Sequence, residues 1–232
     1  MQIEQEDVFV PGGGYIYRVT HRVMEGDCGC DHGPLWTVVP SMYVDKYPVT
    51  NGMYAEFLTG SGYVPKDPTN FLKHWRDGSP LPEDMDKPVT WVSLADAQAY
   101  ALFYGKSLPT DIEWQYFASG TGRLHWPWGD EYDKSKLNAD PLGGLTLVNA
   151  FPGGVNEYGL FDLAGNAWEI TQAGDDGMHR FMLLRGDSYY RAPDFWHALG
   201  GPCANNAHLK CPLLNEGLNR NSNVGFRCVK RI

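Results

Sequence analysis

The pattern of hydrophobic and polar positions predicts strands first and helices next. Segment 42–47, MYVDKY, alternates between apolar and polar residues, which is the period of a half-buried strand. Segment 9–14, FVPGGG, indicates a strand that ends in a glycine-rich turn. Both segments precede the first helix start signal.

Three helices are predicted from the residues at their first turns. Each starts at a Ser or Thr whose hydroxyl can accept a hydrogen bond from a free backbone N–H group. In two of them an acid three residues later can return the bond, which makes a capping box. Each predicted helix is followed by a glycine. The predicted helices are 50–58, 93–104 and 110–119, with N-caps Thr50, Ser93 and Thr110.

The second half of the chain lacks strong helix signals and is predicted to consist of short strands and loops. The long connection 63–90 contains five prolines, and such loops are often functional. No linker or internal repeat divides the chain, so residues 1–232 are predicted to form one α+β domain with low regular secondary structure. The short strands predicted beyond the helices are 126–130, 159–162, 183–186 and 224–228.

Composition and charge narrow the class of protein. The chain has 232 residues, of which 43% are hydrophobic, and eight tryptophans argue against disorder. A net charge of -9 makes nucleic acid and anionic membranes poor partners. No run of 18 apolar residues is present, so no membrane span is expected. The acidic start is no signal peptide, so the expected location is the cytoplasm, or outside the cell after a signal has been removed.

The cysteines give two candidate arrangements. Their odd number, five, argues against a complete disulfide framework. Cys203 and Cys211 can pair, since they are close in a region that contains glycine and proline, or they can be buried thiols. Cys28, Cys30 and His32 are a weak candidate metal site. The usual C-x-x-C spacing is missing there, so a solvated loop is the simpler interpretation.

Short motifs, in order along the chain, carry a family resemblance. They are VFVPGG (8–13), YPVTN (47–51), PVTWVS (88–93), LPTDIEWQY (108–116), WPWG (126–129), YGLFDLAGNAWE (158–169) with LRGDSY (184–189), and NVGFR (223–227). Together they resemble the formylglycine-generating enzyme, or sulfatase-modifying factor, family over nearly the whole chain. The resemblance implies that family's variant of the C-type lectin fold.

The resemblance also implies calcium. The implied ligands are the side chains of Asp162 and Glu169 and the carbonyls of Gly165 and Ala167. Calcium prefers hard oxygen ligands of these two kinds. The alternative is that both acids only cap a turn. A second family site would use Asn138 and the carbonyl of Ala139, but the acidic loop that completes it is shortened here.

Copper, which the family's oxidases bind through two cysteines, is not expected in this chain. The resemblance places those cysteines three and eight residues after Ser188, where this chain has Arg191 and Trp196. Neither side chain is a soft ligand for Cu(I). A relocated pair, Cys203 and Cys211, has a spacing of eight instead of five and is less favoured than structural thiols.

The family's pocket is expected near the strand that ends at Ser188. Aromatic side chains there can stack on a sugar while polar ones bond its hydroxyls, and a carboxylate with a His can do acid–base chemistry. Asp187, Arg191 and His197 are the candidate catalytic residues. A packed aromatic core with a polar rim is the alternative. The expected pocket residues are Trp168, Asp187, Ser188, Tyr190, Arg191, Asp194, Trp196, His197, Arg220 and Asn223.

These observations leave four hypotheses about function. The favoured one is a pseudoenzyme: a calcium-stabilised, non-oxidase family member that recognises a carbohydrate or another small polar ligand. The second is a divergent enzyme that uses acid–base or metal chemistry at the same pocket. The third is a protein-recognition module like the variable proteins of diversity-generating retroelements. The fourth is an oxidase with relocated cysteines.

Overall fold

The computed structural model describes residues 3–23, 32–140, 142–175, 177, 179–190 and 204–232. They form a single domain of mixed α and β structure in which much of the chain lies in turns and loops. Within these ranges, no helix combines the length and the apolar character that crossing a bilayer requires. The α+β fold class predicted from the sequence is confirmed.

Short strands form three separate sheets. The strands are β1 (Asp7–Val10), β2 (Gly13–Tyr17), β3 (His21–Val23), β4 (Leu35–Val39), β5 (Met42–Asp45), β6 (Trp168–Asp175), β7 (Arg180–Arg185), β8 (Ala207–Pro212), β9 (Val224–Gly225) and β10 (Val229–Arg231). One sheet has the order β1-β5-β10, a second consists of β2 and β4, and the largest has the order β3-β8-β7-β6-β9. Residues from both ends of the chain therefore meet in the first and third sheets.

The helices confirm the capping predictions. They are α1 (Asn51–Ser61), α2 (Leu94–Phe103), α3 (Asp111–Ser119) and the short α4 (Glu216–Asn219). The Thr50 hydroxyl accepts a hydrogen bond from the Met53 amide at 3.2 Å. Both predicted capping boxes form at the starts of α2 and α3. Polar side chains at the first turn therefore fixed where each long helix begins.

Two large clusters of buried apolar residues form the core among the described residues. One packs α1 and α2 against β6 and β7 and includes Tyr54, Tyr100 and Leu184. The other packs α3 against β2 and β5 and includes Trp114. Arg227 and Glu169 form a buried ion pair at the candidate site.

Some strand predictions were wrong. Segment 159–162 is irregular rather than a strand, and Gly159 and Asp162 have φ angles of 78° and 52°, outside the β region. Segment 126–130 is also a turn, with one isolated bridge between Trp126 and Gly129. The sequence did not predict β2, β3, β4, β6, β8, β10 or α4. Strand β8 contains His208 and Lys210, both buried, so its polarity concealed a strand inside the largest sheet.

Candidate functional site

The candidate site is built on the turn 162–169, which leads into β6. Asp162, Gly165 and Asn166 all have left-handed backbone, with φ angles of 52°, 77° and 61°. At Gly165 a Cβ atom would overlap the carbonyl of Asn138, so only glycine fits this close approach. Such a tight turn brings backbone carbonyls and two acidic side chains into a small volume.

Glu169, at the start of β6, lies in a buried ion pair and is 1% exposed. Arg227 donates to both of its carboxylate oxygens, at 2.6 Å from Nη2 to Oε1 and 2.7 Å from Nε to Oε2. The indole of Trp114 donates to Oε2 at 2.7 Å. The Glu169 side chain therefore links β6 to Trp114 on α3 and to Arg227, which follows β9.

The carboxylate of Asp162 has fewer hydrogen-bond donors around it than that of Glu169. Only one of its oxygens accepts a described hydrogen bond, from Asn166 Nδ2 at 2.7 Å. Burial raises the pKa of Asp162 to about 7, and the nearby charge of Glu169 also raises it, while the Asn166 bond and Arg227 lower it. A buried carboxylate with so little positive charge around it suits a hard cation.

The donor set fits calcium when carbonyls contribute. Among the described residues no three His, Cys, Asp or Glu side chains converge into a metal cluster. A cation at this turn would therefore depend on Asp162 and the carbonyls of Gly165 and Ala167, with Glu169 sharing its charge between the cation and Arg227. The two acids are the residues that the resemblance singled out.

Asn166, which the sequence reading passed over, holds the turn in place. It is 0% exposed, and its Nδ2 donates to Asp162 at 2.7 Å and to the Thr146 carbonyl at 3.2 Å. Its Oδ1 accepts from the Thr146 amide at 3.0 Å and from Asn138 Nδ2 at 3.2 Å. Its carbonyl accepts from the Tyr189 amide at 3.0 Å. Asn166 thus connects the turn to two other segments of the chain.

Asn138, the residue proposed for a second calcium site, lies against the same turn. Its carbonyl accepts from the Asn166 amide at 2.9 Å, and its Nδ2 donates to the carbonyl of Gly144 at 2.8 Å. Ala139 packs near Trp126 in a small apolar cluster. These contacts give Asn138 a structural role at the turn.

The structure buries most of the described residues of the predicted pocket. Trp168, Asp187 and Ser188 are 5%, 5% and 0% exposed. Tyr190 is 49% exposed, and Asn223 is half-buried and donates through Nδ2 to the Ser188 hydroxyl at 3.1 Å. Only Tyr190 and Asn223 of these five offer side-chain surface to a ligand.

Arg220 does not lie in this pocket. Its side chain is fully buried and donates to both carboxylate oxygens of Asp96, at 2.8 Å and 3.1 Å. It also donates to the carbonyls of Asp67 and Thr69. Its position before β9 suggested a pocket residue, but the guanidinium connects α2 to the long loop.

Several predicted residues lie outside the described ranges. They are Cys28, Cys30, Arg191, Asp194, Trp196, His197 and Cys203. Of the weak Cys–His metal candidate, only His32 is described. Its ring lies 5.4 Å from that of His208. Cys211 has a free thiol on β8.

The fold and the turn define a sulfatase-modifying factor domain. The family described as "Sulfatase-modifying factor enzyme 1-like domain" matches residues 2–232, and the chain belongs to it. The family assignment suggested by the sequence motifs is therefore confirmed.

Two relatives illustrate the range of this family. A Bos taurus protein named inactive C-alpha-formylglycine-generating enzyme 2 is 35% identical over 177 residues, which cover 67% of this chain and 55% of that protein. The chain thus spans about half the length of that relative. The formylglycine-generating enzyme of Mycobacterium tuberculosis is 27% identical over 306 residues, covering 97% of each chain.

A solved structure shares the fold. PvdO from Pseudomonas aeruginosa superposes with a TM-score of 0.70 at 18% identity, over 97% of this chain and 94% of that one. At this level of identity the similarity shows the fold alone.

Proposed function

We propose that this protein is a non-oxidase member of the family, which calcium stabilises and which recognises a carbohydrate or another small polar ligand. The observation that carries the proposal is the pair of side chains at the two positions of the family's copper-binding cysteines. Arg191 and Trp196 stand there, and neither offers the thiolate that Cu(I) requires.

The two described cysteines support this proposal. Burial raises the pKa of the Cys211 thiol to about 12 and raises that of Cys228 as well. Burial of both thiols therefore disfavours the thiolate, which is the form that binds metal. In the sheet, Cys211 on β8 lies opposite Met182 on β7. Met182 is six residues before Ser188, whereas the family's copper-binding cysteines come after the position of Ser188. The naming of the bovine relative as inactive agrees with the proposal.

Peptide oxidation tests the proposal directly. Protein reconstituted with Cu(I) and incubated in air with a cysteine-containing sulfatase peptide is expected to leave the peptide unchanged by mass spectrometry. The Mycobacterium tuberculosis enzyme, treated identically, is the positive control. Aldehyde formation that disappears in a Cys211→Ser variant would instead establish an oxidase with relocated cysteines.

Calcium is proposed to stabilise the turn at Asp162. An ion bound only by the folded state adds free energy of unfolding, about 2.7 kcal/mol at a concentration 100 times its Kd. For a chain of this size that raises Tm by roughly 5–10 °C. Calcium's role here is structural, because it would neutralise Asp162 and fix the carbonyls of the turn.

The variant Asp162→Asn is expected to lose most of the calcium-dependent rise in Tm. Asn has the same shape and keeps an oxygen for Asn166 Nδ2, so the variant should melt close to the wild type in chelator. Differential scanning fluorimetry with EGTA and then with calcium measures both states. Asp130→Asn, which changes an exposed side chain, is the matched control. A full calcium response in Asp162→Asn would contradict this site.

A further inference from the structure

A small cavity is lined by Tyr189 and Ser222, the sequence neighbours of the accessible residues Tyr190 and Asn223. Its volume is about 210 Å³, below the range of roughly 300–1,000 Å³ that is usual for drug-sized ligands. It therefore has room for one ring and little more. Its walls include Trp91, Tyr189, His74, Ser222, Asp84 and Lys87.

Trp91 is held in a backbone conformation that aromatic residues rarely adopt. Its φ angle is 57°, in the left-handed region, where a bulky side chain is strained. Two backbone hydrogen bonds maintain it: the Trp91 amide donates to the Asn221 carbonyl at 2.9 Å, and its carbonyl accepts from the Leu72 amide at 3.0 Å. Strain of this kind persists where surrounding structure enforces it, and it clusters at functional sites.

The two aromatic walls carry unused polar groups. Within the described ranges, neither the indole Nε1–H of Trp91 nor the hydroxyl of Tyr189 makes a hydrogen bond, although both rings line the cavity. An aromatic face with a free donor at its edge binds rings that have an apolar face and a polar rim. Tyr189 can also accept, so the pair can satisfy a hydroxyl group in either direction.

The charged residues that line the cavity compensate each other, and the exposed Lys73 outside it places Nζ 5.1 Å from the centroid of the Trp91 ring. Lys87 and Asp84 form an ion pair at 2.8 Å. The third titratable wall residue, His74, is neutral for a geometric reason. Asn51 Oδ1 accepts from the Trp75 indole at 2.8 Å, so the oxygen is fixed there, and His74 Nε2 at 2.9 Å must donate to it.

The other ring nitrogen of His74 explains why the imidazole resists protonation. Nδ1 is buried without a hydrogen-bond partner among the described groups, so a proton there would be an unpaired buried donor. Burial accordingly lowers the pKa of His74 to about 4, although Asp84 opposes the shift. At neutral pH the residues that line the cavity thus carry no net charge.

We propose that this cavity binds a single uncharged ring that bears hydroxyl groups, either a pyranose or a phenol, between Trp91 and Tyr189. The proposal deepens the proposed function and rests on it, because it names the site and class of the small polar ligand. Size limits the ligand to one ring, the aromatic walls favour a ring face, and the free indole N–H and phenol hydroxyl favour hydroxyl groups. The absence of net wall charge favours an uncharged molecule over an ion.

Ligand-detected binding and the Trp91 indole signal test the proposal. The full chain is titrated in separate arms with phenol and with the methyl glycosides of glucose, galactose and mannose, while the indole N–H resonances are followed by NMR. At least one probe is expected to shift the Trp91 Nε1–H signal saturably. Benzoate and glucuronate, the charged counterparts, are expected to bind more weakly. The arm that saturates distinguishes a sugar ligand from a phenolic one.

Three variants make the test specific. Trp91→Phe and Tyr189→Phe each remove one polar group and keep a ring, so each is expected to raise Kd roughly 2- to 10-fold, the range for one lost hydrogen bond. Tyr43→Phe, at an exposed position on β5 that does not line the cavity, is the matched control and should leave Kd unchanged. Thermal melts close to the wild type confirm that the variants are folded.

Two results would overturn the proposal in different ways. If a probe binds saturably and neither Trp91→Phe nor Tyr189→Phe weakens the binding, the ligand site lies elsewhere on the protein. The proposed recognition function would then stand. No saturation by any of these probes would reject the ligand class assigned to the cavity. Peptide oxidation by the copper-loaded protein would reject the non-oxidase function independently of either result.

Discussion

The Glu169→Gln variant is expected to lose about 3–5 kcal/mol of unfolding free energy, the range for a buried ion pair that loses one partner. Arg227 is fully buried, and in the variant its guanidinium faces an amide in place of two carboxylate oxygens. The Trp114 indole competes for the single remaining oxygen. For a chain of this length the loss corresponds to a fall in Tm on the order of 10 °C.

Chemical denaturation of wild type and variant in chelator measures this effect without any contribution from calcium. Glu6→Gln is the matched control, because the Glu6–Lys46 pair has the same chemistry at 2.9 Å but a Glu side chain that is 61% exposed. Its effect should stay within about 1 kcal/mol. Equal effects of the two substitutions would show that the Glu169–Arg227 pair does not stabilise the fold.

Arg220→Met is the second substitution with a large expected effect, again about 3–5 kcal/mol. It would leave Asp96, which is 0% exposed, without its guanidinium partner, and would remove the donor for the carbonyls of Asp67 and Thr69. Asp96 keeps bonds from the Ser93 amide and the Tyr63 hydroxyl, but these do not carry a compensating charge.

Urea unfolding of Arg220→Met and of Arg180→Met distinguishes a buried ion pair from a pocket residue. Arg180 is exposed on β7, so its substitution should change stability by less than about 0.5 kcal/mol. If Arg220→Met were as stable as the wild type and lost ligand binding instead, Arg220 would belong to the pocket, as the sequence first suggested.

The sequence could predict the features of this fold that depend on near neighbours. The capping boxes at Ser93 and Thr110 need only residues three positions apart, so their sequence signal was complete. Strand β8 was missed because His208 and Lys210 are buried by partners far away in sequence, and polarity alone argues for exposure. The family motifs compensated for such gaps, because they specify the whole fold.

The candidate site also has parts that the sequence could predict and parts that it could not. Asp162 and Glu169 lie within eight residues of each other, and a motif marks them. The cavity brings together residues as far apart in the sequence as Asn51 and Ser222, so no local sequence pattern predicts it. Arg220 and Trp168 were placed in the pocket because of their position in the chain, but position does not reveal which face a side chain takes. Asn166 is inside the motif, yet its many partners only become visible in three dimensions.

The hydrogen bonds of Asn166 have a thermodynamic consequence. Its carbonyl holds the Tyr189 amide, and its side chain holds Thr146, the neighbour of the cavity residue Leu145, while the same side chain holds Asp162. An ion that ordered the turn, as proposed for calcium, would therefore also order two walls of the cavity. Linkage requires the effect to be reciprocal. If calcium raises the affinity for the ring by some factor, the ring raises the affinity for calcium by the same factor.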